Sequence, residues 1–66
     1  MKNRISEFRK AKHLTQPQLA QMANLTSYTV VQRYEYGTRV PGVEIALRIA
    51  KALNTTVEEL FILDDD

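Results

Sequence analysis

Residues 15–37 read TQPQLAQMANLTSYTVVQRYEYG, and the division of this run decides the fold. Thr15 can cap a helix beginning at Gln16, because its hydroxyl can accept from a backbone N–H that lacks a helical partner. Pro17 falls at an early position where its missing N–H is harmless. Leu19, Ala20, Met22 and Ala23 then form one apolar face. Asn24 tolerates the left-handed backbone that ends a helix. A second helix starts at Thr26 or Ser27 and runs to Tyr36, where Gly37 stops it. Val30, Val31 and Tyr34 are its candidate core residues. Only a few residues join the two helices, so they meet at a steep angle in a helix-turn-helix arrangement.

The flanking sequence continues in the same style. Ile5, Phe8 and Lys12 share a face of a segment from Arg4 to Lys12, extended by Ala11 and Leu14, with Asn3 as its cap. Thr38 to Gly42 form a loop. A fourth helix, Val43 to Leu53, has Val43, Ala46, Leu47, Ala50 and Leu53 on its packed side, with Ile49 contributing. A fifth runs from Val57 to about Ile62, capped by Thr56, with Glu59 at capping-box spacing. His13 and Asn54 follow periodic segments as Asn24 does, and are read as helix-end residues. The fold class is therefore all-α: a compact bundle of five short helices around a central helix-turn-helix. Residues 1–66 form one domain, ending in a short acidic tail over residues 62–66.

Composition narrows the function. A chain of 66 residues buries only about 60% of its unfolded surface, so it depends on close packing or on a partner subunit. Without cysteine and with His13 as the lone histidine, neither a disulfide nor a zinc site can staple it, and no metal or cofactor is expected. No Gly-rich phosphate loop or nucleophile with a matching base is present, so the chain is not expected to be an enzyme or to take a small-molecule substrate. No apolar stretch is long enough to span a bilayer, and the N-terminal segment does not resemble a signal peptide; a cytoplasmic location follows as the expectation. The net charge is only +1, but it is unevenly spread. Lys2, Arg4, Arg9, Lys10 and Lys12 lie near one end, and Glu58, Glu59, Asp64, Asp65 and Asp66 near the other.

The second helix of the run is rich in exposed hydrogen-bonding groups, which suits the major groove of double-stranded DNA. Gln32 can bond bidentately to adenine N6 and N7, and Arg33 can pair with guanine or reach a phosphate. Tyr28 can pack a thymine methyl or bond a phosphate. Ser27 and Thr29 can contact either, although Ser27 can also serve simply as a cap. Lys10 and Arg4 supply diffuse positive charge, which positions a protein on DNA without setting sequence choice.

Three pieces in order, NRISEFRKAKHLTQPQLA, RYEYGTRVP and VEIALRIAKALNTTVEELF, resemble the lambda-repressor-like helix-turn-helix domain of the phage Cro/CI (XRE) type. They span residues 3–61. The resemblance implies a sequence-specific DNA-binding regulator that pairs as a homodimer on a palindromic operator, of the phage or prophage repressor kind. It implies phosphate contacts from Gln16 and from the loop residues Thr38 and Arg39, and a structural pair of Arg9 with Glu35. Tyr36 stands where Asn is common, so its phosphate contact would come from the hydroxyl. The family pairs beyond helix four, which makes Val57, Phe61, Ile62 and Leu63 candidate interface residues. An antitoxin or a restriction-modification controller would use the same domain. A helical protein-interaction module without DNA binding is the reading from another class.

One departure stands out. Gly37 falls one residue further from Leu19-Ala20 than the family's spacing. In one solution Thr26 caps a longer helix, Val30 is the core residue, and Ser27, Tyr28 and Gln32 face DNA. In the other the turn is longer, Ser27 caps, Val31 is the core residue, and Tyr28, Thr29 and Arg33 face DNA.

Overall fold

The computed structural model describes residues 2–63. Five helices follow in order: α1 (Ile5–Ala11), α2 (Gln16–Met22), α3 (Tyr28–Tyr36), α4 (Val43–Ala52) and α5 (Val57–Leu60). Two short strands, β1 (Lys2–Asn3) and β2 (Phe61–Ile62), pair antiparallel, with Lys2 opposite Ile62 and Asn3 opposite Phe61. The ribbon was not expected from the sequence. It ends α5 two residues early and draws Ile62 out of the anticipated tail. Residues 64–66 of that tail lie outside the described residues.

The same device closes four of the helices. His13, Asn24, Gly37 and Asn54 all have positive φ, from 57° to 80°. After each, the next N–H returns to the carbonyl five positions earlier: Leu14 to Arg9, Leu25 to Ala20, Thr38 to Arg33 and Thr55 to Ala50, at 2.8–3.1 Å. This bond satisfies a carbonyl that the helix itself leaves unpaired, and it turns the chain sharply toward the next element. Leu14 and Leu25 then pack against the core.

Helix starts are equally local. Thr15 and Gln18 form a reciprocal capping box at α2. Thr56 caps α5 by accepting from the Glu59 N–H, but the Glu59 carboxylate accepts from the Thr55 hydroxyl instead of returning to the cap, so the expected box is only half formed. Arg4 occupies the cap position of α1, while the Asn3 side chain accepts from the Ile5 N–H at 3.2 Å.

The core gathers Ile5, Leu19, Val31, Ile49, Leu53 and Leu60, all essentially inaccessible to water. Val31, not Val30, is the buried valine of α3, and Ser27 caps that helix by accepting from the Thr29 N–H at 3.1 Å. The extra residue therefore lies in the turn. A turn accommodates one more residue without breaking the hydrogen-bond ladder, whereas a helix must bulge. Tyr34 follows Val31 by one helical step and is also buried.

The expectation for α4 needs correction. Ala46, Ile49, Ala50 and Leu53 are buried, but Val43 is 79% exposed and Leu47 56% exposed. At about 100° per residue these two lie on the flank of the buried arc, beyond reach of the chain's own core.

Candidate nucleic-acid interface

The geometry begins with Glu35, whose side chain is 9% exposed. Its carboxylate accepts from Arg9 Nε at 2.7 Å and Nη2 at 3.3 Å, and from Gln16 Nε2 at 3.0 Å. Arg9 also donates through Nη1 to the Leu14 carbonyl at 2.8 Å. One carboxylate thus ties α1 and the start of α2 to the end of α3. Two charge-assisted bonds in a fork fix orientation as well as distance. The expected Arg9–Glu35 pair is present. Gln16, read from sequence as a phosphate contact, commits one amide N–H to Glu35, and its NH2 group carries a second.

This lock sets which face of α3 points outward. Val31 and Tyr34 face the core. Helical geometry then places Tyr28, Thr29, Gln32, Arg33 and Tyr36 on the opposite half of the helix. Tyr28 is 50% exposed and Tyr36 77% exposed; Arg33 is exposed, and Thr29 and Gln32 are half-buried. Gln32 and Tyr36 border a polar depression with Ser6, Lys10 and Gln16. Ser6 was not singled out in the sequence, because nothing in its own neighbourhood marks it. Thr38 and Arg39 are exposed just past the helix end, where the Thr38 hydroxyl donates to the Arg33 carbonyl at 3.2 Å. Ser27 sits at the helix start, with its oxygen engaged as the cap.

A second surface lies at α4 and α5. Val40, Pro41, Val43, Leu47, Val57 and Phe61 line an apolar groove of about 480 Å³. Val57 and Phe61 belong to the set expected at an interface. Ile62 is half-buried in the ribbon and Leu63 is 75% exposed. Val40, Pro41, Val43 and Leu47 were missed as surface residues. Their signal was the i,i+4 spacing of Val43 and Leu47, which reads equally well as a core stripe. No group of three His, Cys, Asp or Glu side chains among the described residues is placed to hold a metal ion.

Residues 5–60 match the family described as helix-turn-helix. The chain belongs to the Cro/CI (XRE) type of helix-turn-helix DNA-binding domains. This family is not catalytic. An uncharacterized helix-turn-helix-type transcriptional regulator of Methanothermobacter thermautotrophicus is 40% identical over 67 residues, covering all of this chain and 96% of that protein. One from Archaeoglobus fulgidus is 38% identical over 66 residues, covering all of this chain and 93% of that protein. Among solved structures, the restriction-modification controller protein C.AhdI from Aeromonas hydrophila superposes with a TM-score of 0.82 at 36% identity, covering 88% of this chain and 86% of that one. As a helix-turn-helix transcriptional-regulator domain, the chain uses α2 and α3 as its helix pair. No helix of the described residues is long and apolar enough to cross a membrane.

Proposed function

We propose that this domain binds double-stranded DNA sequence-specifically in the cytoplasm, with α3 in the major groove, and that it pairs as a homodimer on a twofold-symmetric site. The observation that carries this reading is the outward face of α3, held in register by the Glu35 lock and made of Tyr28, Thr29, Gln32, Arg33 and Tyr36. Arg33, Gln32, Tyr28 and Thr29 are the base readers in this proposal. Lys10, Gln16, Tyr36, Thr38 and Arg39 contact phosphates, and Ser27 serves mainly as the cap. A single reading helix covers few base pairs, so useful specificity favours two. The groove lined by Val43, Leu47, Val57 and Phe61, with Leu63 beside the ribbon, is the pairing face, and a second copy covers apolar side chains that this chain leaves exposed.

The likeness to C.AhdI, at 36% identity, favours a controller-type regulator over a phage or prophage repressor, which rests on the sequence resemblance alone. Binding-site selection from random duplex DNA tests the central reading. The expected result is an enriched site with twofold symmetry. Recovery of sequences no different from the starting pool rejects it. Regulation of a restriction-modification promoter in a reporter strain supports the controller role; regulation confined to phage or prophage promoters supports the repressor role.

A further inference from the structure

The apolar groove has two links to the end of α3. The first is covalent: Val40 and Pro41 form one wall of the groove and follow Gly37, the stop of α3, within the same loop. The second runs through Asn3. Its backbone stands opposite Phe61 in the ribbon, and Phe61 lines the groove. Beside it the Arg4 N–H donates to the Leu60 carbonyl at 2.8 Å, which fixes the ribbon against α5. The Asn3 side chain turns the other way. Its Nδ2 donates to the Tyr34 carbonyl at 2.9 Å, while its Oδ1 accepts from the Ile5 N–H at 3.2 Å. The Tyr34 carbonyl belongs to the last turn of α3 and also accepts from the Gly37 N–H at 3.1 Å, so the Asn3 bond takes its second acceptor site beside the helix stop. Asn3 therefore joins the strand beside the groove, the start of α1 and the end of the reading helix.

We propose that Asn3 is a positioning residue that couples occupancy of the groove by a second copy of this chain to the placement of the C-terminal end of α3. The coupling rests on the homodimer proposed above. A second copy seated against Phe61 bears on β2, β2 on Asn3, and Asn3 on the Tyr34 carbonyl. By linkage, whatever fixes the end of α3 also favours the paired state. The chain that carries Tyr28, Thr29 and Arg33 is thus set in its final position when two copies meet.

The test follows backbone amide shifts by NMR over a dilution series, with the mass followed by sedimentation. A Leu47→Asp chain supplies the monomeric end-point if the wild type stays paired at the lowest concentration. The amides of Gly37 and Thr38 should shift with pairing, together with those of Val43 and Phe61. Asn3→Asp keeps an acceptor for the Ile5 N–H but has no N–H for Tyr34. Asn3→Ser is uncharged and too short to reach Tyr34, and serves if the aspartate disturbs folding. In both variants the groove amides should still shift with mass, while the movement at Gly37 and Thr38 falls by roughly half or more, because one of its two links is gone. Groove amides that move while Gly37 and Thr38 stay still in the wild type would overturn the coupling alone, as would undiminished movement in the variants. A mass that never exceeds one chain, with groove amides unmoved, would overturn the pairing and the coupling with it.

Discussion

Replacing Glu35 with alanine removes the one anion shared by three elements. Its carboxylate holds Arg9 at 2.7 and 3.3 Å and Gln16 at 3.0 Å. The Arg9 side chain is 11% exposed, so the guanidinium left behind is largely cut off from water. Breaking a buried pair by deleting one partner costs about 3–5 kcal/mol. Arg9 keeps its bond to the Leu14 carbonyl, and the neighbouring depression admits water, which places the cost near the lower end, about 3 kcal/mol. A domain this small sits toward the low end of the usual range of roughly 5–15 kcal/mol, so about half its stability would go. At about 4–8 °C per kcal/mol for a domain of this length, Tm should fall by roughly 12–24 °C. Helix ellipticity on heating and in urea measures it. An Arg9→Met companion completes a double-mutant cycle, and the double variant should cost less than the sum of the singles by more than about 1 kcal/mol. A fall in Tm under about 4 °C, or additive costs, would show that the lock is a surface pair with no hold on α3.

Three further predictions follow from the packing. Val31→Ala, at a fully buried site, should lose about 2–3 kcal/mol in urea unfolding, and Val30→Ala, half-exposed, less than about 1 kcal/mol; the reverse order would put the extra residue inside α3. Gly37→Ala, at φ 80° with nothing near an added Cβ, should cost about 1–2 kcal/mol through backbone strain alone; an unchanged urea midpoint would contradict the left-handed stop. Leu47→Asp, at a position 56% exposed, should leave the folded monomer's stability within about 1 kcal/mol while abolishing pairing in sedimentation; a variant that still pairs would remove the groove from the interface.

Most of the fold was legible because its signals are local. His13, Asn24, Asn54 and Gly37 are residue types that accept positive φ, and each ends a helix as expected. Thr15, Ser27 and Thr56 mark helix starts by the hydroxyl they offer. The three-residue spacing of Val31 and Tyr34 fits the longer turn, but the sequence left both placements of the extra residue open until the burial of Val31 decided between them. The β1–β2 ribbon was not legible, because two-residue strands carry no periodicity and Lys2–Asn3 meets Phe61–Ile62 only after the bundle has formed. The exposure of Val43 and Leu47 was hidden for a different reason: an apolar stripe on a helix does not say whether its own core or a second surface covers it. In the site, the Arg9–Glu35 pair came from the family resemblance. The hold of Glu35 on Gln16 did not, because it depends on how α2 and α3 cross, which no local sequence pattern reveals.

In the proposed complex, the face of α3 opposite Val31 and Tyr34 reads bases. The most direct measurement is the affinity of Arg33→Ala for the selected site and for the same site substituted one base pair at a time, at fixed salt. Base reading by Arg33 predicts a loss of about 1–3 kcal/mol on the selected site together with relaxed discrimination at a single base pair in each half-site. An equal loss on every sequence, or relaxed discrimination from Ser27→Ala in place of Arg33→Ala, would contradict it.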